Sequence, residues 1–220
     1  MSRYITLDQQ KEMEANYKGW FEITEYIGVN KKIGRDGGGT GVEGNIGKYF
    51  GKIKGIEKAI SYLSSPPKNI LEIGFNAGHS AMVMLNSTPD SCNFYTFTLD
   101  NHAYSQPCFD IIKSVYPKRN MQITFGDSQY IVPEFLETFN EELDLVFIDG
   151  AHSEHWPHTD AKNTHHHLKV GGIMIFDDIN IGAVGKGKNK FLKEFPNQYK
   201  HLSDIKNTGG QDMFVLQKIK

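Results

Sequence analysis

The stretch that most constrains the fold spans residues 69–85, with the sequence NILEIGFNAGHSAMVML. Ile70, Leu71 and Ile73 predict a short buried strand, and the apolar residues that follow Ser80 predict a helix. Between them, Gly74–Gly78 predicts a tight turn. A strand, a glycine turn and a helix N-terminus form the βα unit that binds nucleotides, because backbone N–H groups can approach a ligand there.

The glycine spacing of this turn indicates which kind of nucleotide it suits. Dinucleotide-binding turns usually have the pattern G-x-G-x-x-G. This chain instead has Glu72-x-Gly74-x-x-x-Gly78. The acid Glu72 would repel a pyrophosphate but would suit a ligand with an ammonium or a sulfonium group. The turn therefore favours S-adenosylmethionine over NAD, and a plain glycine turn in an α/β sheet remains the alternative.

The rest of the chain alternates strand-like and helix-like segments, which predicts a doubly wound α/β fold of the Rossmann-like type with a mostly parallel, seven-stranded sheet. The last two strands are separated only by 206–212 and are expected to add an antiparallel hairpin at the edge.

We expect one domain over 1–220, with an N-terminal helical cap and flap in 1–65 and a cofactor-binding core in 66–220. The strands are predicted near 69–73, 93–99, 121–125, 143–148, 173–176, 199–205 and 213–219, and helices near 1–27, 50–63, 108–115, 132–139, 159–168 and 191–195. Residues 35–47 are too glycine-rich for a regular element and are either a flap or a linker.

Composition excludes several classes of partner. The net charge of −2, with 23% charged residues, does not indicate a surface that binds nucleic acid. No apolar run is long enough to cross a membrane. The N-terminus lacks the plan of a signal peptide. Cys92 and Cys108 have no metal-binding spacing and are expected to be reduced, as in a cytoplasmic protein. The expected partner is a small molecule, and a homo-oligomer stays open.

Polar residues follow the predicted strands at their carboxyl ends, where ligands bind in open α/β sheets. They are Glu72, Asp100, Asp127 with Ser128, Asp149 with His152, and Asp177 with Asp178. Asp100 lies a little over twenty residues after the glycine turn, where a carboxylate can bind both ribose hydroxyls, or it is a turn acid. Asp127 and Ser128 would border an adenine ring, or one of them caps a helix.

Three carboxylates, those of Asp149, Asp177 and Asp178, should converge at adjacent strand ends. They would repel one another unless they are protonated or bridged by a cation, and oxygen ligands favour Mg²⁺. An N-cap or loop role for Asp178 is the alternative. His152 could accept a proton from a hydroxyl, or it is an ordinary loop histidine. The run 165–167 of three histidines is expected to be polar helix surface, because successive helical side chains diverge.

Several motifs together resemble the class I S-adenosylmethionine-dependent methyltransferases. The motifs are LEIGFNAGHSA, GDS, DLVFIDGAHS, the following Asp160, and LKVGGIMIFDDI. They are most similar to the small-molecule O-methyltransferase branch with a D-G-A-H signature, which includes metal-dependent sugar and antibiotic enzymes and is akin to the catechol type. The resemblance covers about 48–181.

The resemblance implies a role for each matching residue. The glycine loop would hold the methionine end of the cofactor, Asp100 the ribose, and Asp127, Ser128 and Gln129 the adenine side. Asp149, Asp177 and Asp178 stand at the metal positions, and His152 stands where the catechol enzymes have a lysine base. Asp149 and His152 would also border the cofactor, and 45–55 resembles the segment that closes over it. The loop residues concerned are Glu72, Gly74, Phe75, Asn76, Gly78 and Ser80.

The expected activity is methyl transfer from S-adenosylmethionine to a hydroxyl of a small molecule, assisted by Mg²⁺, with His152 and Asp149 as catalytic residues. A metal-independent methyltransferase and a non-catalytic cofactor-binding protein on the same fold are the alternatives. An NAD-dependent dehydrogenase is disfavoured by Glu72 and by the glycine spacing.

Overall fold

A computed structural model describes residues 6–29, 46, 49–153, 155–205 and 212–220. Apart from Ile46, the glycine-rich stretch 35–47 lies outside the described residues. The helices are α1 Leu7–Asn16, α2 Trp20–Val29, α3 Phe50–Ile60, α4 His79–Asn86, α5 Ser105–Val115, α6 Ser128–Thr138, α7 Trp156–His165 and α8 Gly182–Glu194. The strands are β1 Asn69–Ile73, β2 Asn93–Thr98, β3 Met121–Phe125, β4 Leu143–Ile148, β5 Leu168–Phe176, β6 Tyr199–His201 and β7 Phe214–Lys218.

The described strands form one seven-stranded sheet in the order β3-β2-β1-β4-β5-β7-β6. The strands β1 to β5 pair in parallel, whereas β7 pairs antiparallel with both β5 and β6. This arrangement confirms the predicted doubly wound sheet with an antiparallel pair at its edge. The strand order reverses between β1 and β4, and a sheet of this type binds its ligand outside the carboxyl ends of the strands at such a point.

Helices cover both faces of the sheet because the central strands are apolar on both sides. Along β1, for example, Ile70 packs with residues of the N-terminal helices and of α4 and α5, while the next residue, Leu71, packs with residues of α6, α7 and α8. Every residue of β1 and β4 is buried. These two strands therefore form the centre of the core, and the loops that follow them begin at its edge.

The element boundaries differ from the sequence expectation at several places, most of all at α8, which begins at Gly182 although a helix was expected only near 191–195. Strand β6 ends at His201, before the expected 205. The N-terminal helical segment is two helices, since the backbone passes through Gly19 at a φ of +83°. Helix α7 begins earlier than expected, at Trp156, with Pro157 in its first turn, where a missing N–H costs nothing. Strand β5 begins at Leu168, before the glycine pair that was expected to precede it. No helix among the described residues is long and apolar enough to span a membrane.

Candidate active site

Backbone hydrogen bonds align the loops that leave the carboxyl ends of the strands. Gly74 N donates to Phe97 O at 2.8 Å, and Asp149 N donates to Ile73 O at 2.8 Å. On the other side of β4, Asp177 N donates to Ile148 O at 3.0 Å. The first residue of each loop thus continues the hydrogen-bonding ladder of the sheet. The polar residues that follow the strands are consequently held at one edge, as the sequence predicted.

A cleft of about 360 Å³ lies at this edge, within the size range of small-molecule sites. Four loops form its walls, and they follow β1, β2, β3 and β4. Asp178 adds a wall from the loop after β5. The lining consists of Ile73, Gly74, Asn76, Phe97, Thr98, Leu99, Asn101, His102, Gly126, Ser128, Asp149, Gly150, Ala151, His152, Trp156 and Asp178.

Some of the predicted site residues line this cleft and others support it from behind or lie beside it. Those in the lining are Gly74, Asn76, Ser128, Asp149, His152 and Asp178. The predicted residues that are outside the described lining are Glu72, Phe75, Gly78, Ser80, Asp100, Asp127, Gln129 and Asp177. Asp100 is exposed and lies between two lining residues, Leu99 and Asn101. Fewer of the predicted residues therefore line the cleft than the sequence motifs indicate.

Gly74 is required by packing at the centre of the site. Its φ is +102°, and a Cβ at this position would lie 1.9 Å from the carbonyl oxygen of Asp149. The close approach of these two loops brings the glycine turn against the D-G-A-H segment. Asn76, in the same turn, has a φ of +50° and accepts a hydrogen bond at Oδ1 from the Tyr104 hydroxyl at 2.6 Å. The turn is thus fixed from two sides.

Glu72 supports the turn from inside the protein. Its side chain is fully buried and accepts hydrogen bonds from Ser80 Oγ at 2.5 Å and from Thr96 Oγ1 at 2.8 Å. Burial raises the pKa of the carboxyl to about 8 despite these two bonds. The sequence analysis predicts that this acid faces a cationic group of a ligand. The structure places it between α4 and β2, outside the described lining of the cleft.

The loop after β3 is held by contacts to α7. Asp127 caps α6 by accepting from the backbone N–H of Gln129, and it also accepts from Trp156 Nε1 at 3.2 Å. Ser128 Oγ donates to Asp160 Oδ1 at 2.7 Å. Burial raises the pKa of the Asp160 carboxyl to about 7. The helix-cap alternative is therefore correct for Asp127, while Ser128 faces the cleft with its hydroxyl oriented by Asp160.

Asp149, His152 and Asp178 form an acidic corner of the cleft. One potential ligand atom from each of them lies within 4.8 Å of the others. His152 Nε2 is 3.5 Å from Asp149 Oδ1 and 3.7 Å from Asp178 Oδ2. The hydrogen bond to Asp149 raises the pKa of His152 against the effect of burial. Burial raises the pKa of Asp149.

Asp177 is not part of this group of three and contacts a lysine that the sequence analysis did not single out. Lys52 Nζ lies 2.7 Å from Asp177 Oδ2 and 2.6 Å from Asp178 Oδ1. Lys52, Asp177 and Asp178 are all buried. Burial lowers the pKa of Lys52, but the carboxylates of Asp177, Asp178 and Asp149 outweigh it, so the pKa is raised and the ammonium stays charged. Burial raises the pKa of Asp177 to about 7.

A signal for Lys52 was present in the sequence. It lies four residues before Ile56 and eight before Ile60, on the apolar face of α3. A lysine on such a face needs a buried partner, although nothing local identifies which acid supplies it. Asn101 and His102 were missed as well, since they follow β2 in an irregular loop. Trp156 also lines the cleft.

Comparison with known proteins agrees with this geometry. Residues 71–179, from the glycine turn to the end of the acidic corner, match the family model described as a methyltransferase domain. The core of this chain matches a methyltransferase domain. No curated protein matches the chain.

Solved structures with the same fold include three methyltransferases of low sequence identity. The O-methyltransferase TomG from Streptomyces achromogenes, in complex with SAM, has 17% identity and a TM-score of 0.60, with 76% of this chain and 79% of that chain covered. The Bacillus cereus O-methyltransferase, in complex with SAH, has 15% identity and a TM-score of 0.62, with 92% and 90% covered. Podospora anserina PaMTH1, also bound to SAH, has 16% identity and a TM-score of 0.61, with 98% and 97% covered. These likenesses concern the fold, and the family match concerns a methyltransferase domain over 71–179.

Proposed function

We propose that this protein transfers a methyl group from S-adenosylmethionine to a hydroxyl group of a small molecule. The observation that carries the proposal is the cleft in which the glycine turn at Gly74–Asn76 meets the acidic corner of Asp149, His152 and Asp178. The methyltransferase family match over 71–179 supports the cofactor, as do the SAM and SAH complexes of the structural neighbours. The proximity of an acid–histidine pair supports a hydroxyl acceptor.

The residues of the cleft have separable tasks in this reaction. The acceptor oxygen bonds to the methyl carbon while the carbon–sulfur bond breaks and its electron pair stays on sulfur. His152 takes the hydroxyl proton, and with Nε2 turned to Asp149, Nδ1 is the nitrogen left to accept it. Asp149 orients the imidazole and stabilises its cationic form. Because such a displacement needs alignment of three atoms, the rigid strand ends supply much of the rate enhancement.

We further propose that a divalent cation such as Mg²⁺ assists at the acidic corner. The two carboxylates of this corner fit a hard cation. A cation there would lower the pKa of the acceptor hydroxyl. The ligands that we infer are Asp149 and Asp178. Asp177 stays a predicted third ligand, and it accepts a hydrogen bond from Lys52, as Asp178 does.

Calorimetric titration with S-adenosylhomocysteine, with and without Mg²⁺ and with NAD as a control, tests the cofactor first. We expect S-adenosylhomocysteine to bind with a dissociation constant in the micromolar range or below, and NAD to give no heat of binding. Binding of NAD alone would overturn the proposal. If S-adenosylhomocysteine binds but no hydroxyl compound is methylated, the non-catalytic alternative replaces it.

A metal-independent methyltransferase is the second candidate. Lys52 favours it, because its ammonium already offsets one negative charge of the three carboxylates. Turnover that is unaffected by chelators would select this candidate over the metal-assisted one. Both candidates share the cofactor and the acceptor class, so the titration above applies equally to them.

A further inference from the structure

Lys52 links the N-terminal part of the chain to the loop after β5. Its ammonium makes two short contacts, to Asp177 and Asp178, which are more than a hundred residues away in sequence. The lysine side chain is 4% exposed, and Nζ also lies 5.6 Å from the centre of the Tyr49 ring. A buried ion pair held in this way is costly to break, because each partner would be left as an unpaired charge.

The contacts of Asp178 divide between two sides. Its Oδ1 faces Lys52 at 2.6 Å, and its Oδ2 faces His152 and the cleft at 3.7 Å. Asp178 lines the cleft, whereas Lys52 and Asp177 lie behind its described lining. Lys52 therefore acts on the acidic corner from inside the protein, through a carboxylate that a cation in the cleft would also use.

We propose that the buried ammonium of Lys52 weakens the affinity of the corner Asp149–His152–Asp178 for divalent cations. Lys52 offsets one negative charge and occupies one oxygen of Asp178, so an entering cation meets a less negative site with one donor oxygen fewer. It is a positioning residue, since it touches neither the cleft nor the acceptor. The inference rests on the proposed function only in taking this corner as the cation site.

Titration of the full-length protein with Mn²⁺, without acceptor, tests this inference. Wild type is compared with Lys52→Gln, which removes the charge but retains a polar group. We expect Lys52→Gln to bind Mn²⁺ at least about tenfold more tightly, because one repulsive charge within the protein interior has been removed. Lys52→Arg keeps the charge and should bind as wild type does.

Lys54→Gln is the matched control for the loss of one lysine from the same helix. Lys54 is about half exposed and pairs with Glu12 and Glu57 on the other side of α3, so its loss should leave Mn²⁺ affinity unchanged. If Lys52→Gln does not fold, Lys52→Gln combined with Asp177→Asn removes the lysine together with one of its two carboxylate partners. That double variant should also bind Mn²⁺ more tightly than wild type, since Asp178 has lost its lysine.

Equal Mn²⁺ affinities in wild type and in a folded variant without Lys52 would overturn the inference, and so would the absence of Mn²⁺ binding in all variants. Titration of the same samples with S-adenosylhomocysteine keeps the two proposals apart. Retained binding of this ligand alongside unchanged Mn²⁺ affinity would reject the role of Lys52 and leave methyl transfer standing. A wild type that fails to bind S-adenosylhomocysteine would contradict the proposed function instead.

Discussion

Gly74 shows how a single residue determines the shape of the site. Its φ is positive, and a Cβ on this residue would lie only 1.9 Å from the Asp149 carbonyl oxygen, which leaves no room for a side chain. We expect Gly74→Ala to lower the free energy of unfolding by more than about 3 kcal/mol, because the variant must both strain the backbone and separate β1 from β4. Urea denaturation followed by circular dichroism measures this loss.

Gly182→Ala is the control for the effect of adding a methyl group. Gly182 begins α8, has no positive φ, and a Cβ there would meet no atom within 4 Å. Its substitution should leave stability within about 1 kcal/mol of wild type, with a gain favoured by helix propensity. If both glycine variants were equally stable, the close contact between the two loops would not be essential.

At this scale the sequence identifies residues better than it identifies their contacts. The positions of Gly74, Ser128, Asp149, His152 and Asp178 at strand ends predict a place in the site, and all five line the cleft. Asn76, which the resemblance implies, lines it as well. Local spacing does not show which distant residues pair, as with the α3 lysine that contacts Asp177.

The sequence analysis also gives the wrong burial for one histidine of the run 165–167. The sequence predicts polar helix surface there, but His165 is buried, and its ring lies 3.8 Å from that of Phe195. The prediction is wrong for His165. The side chain faces α8, which the local periodicity could not reveal.

Among the elements, the strands were easier to predict than the helix boundaries. The central strands are buried on both faces, so continuous apolar runs mark them and polar residues mark their ends. Helix α7 has no comparable apolar pattern, and its start at Trp156 depends on Pro157 and on the contact of the indole with Asp127. The tertiary contact, rather than the local sequence, sets that boundary.

The contact between α4 and α2 makes stability depend on pH. His79 on α4 is buried against Trp20 on α2, with ring centres 5.1 Å apart. Burial lowers the pKa of His79 to about 4 from 6.5. A pKa that is depressed on folding stabilises the fold above pH 6.5, and this contribution is lost as the pH falls from there toward 4. Between pH 7 and pH 5 we expect a loss of about 2 kcal/mol.

The loss assigned to His79 is measured as a difference between variants. Urea unfolding at pH 7 and pH 5 should show a smaller decrease in stability for His79→Leu than for wild type. The buried carboxyls Glu72 and Asp160 have raised pKa values and act in the opposite direction, but they are present in both proteins and cancel. His166→Leu, at an exposed histidine, should keep the wild-type decrease. Parallel profiles for wild type and His79→Leu would contradict this assignment.

For the whole molecule, the described N-terminal helices and the sheet share one core. Met13, Trp20 and Ile23 pack in the same cluster as Ile53 of α3 and Leu145 of β4. The ion pair from Lys52 to Asp177 and Asp178 adds a polar link between the same two regions. The described N-terminal helices are therefore expected to fold and unfold together with the sheet.

A single cooperative transition is the measurable consequence of this shared core. The chain has two tryptophans, and Trp156→Phe leaves Trp20 as the fluorescent reporter of the N-terminal helices. On heating, the fluorescence change of Trp20 should coincide with the loss of far-ultraviolet circular dichroism, and the calorimetric enthalpy should equal the van't Hoff enthalpy. The enthalpy should be about 150 kcal/mol near 60 °C for a chain of this length. An earlier transition seen only by Trp20 would mean that the cap unfolds independently, and Lys52 would then leave the acidic corner before the sheet melts.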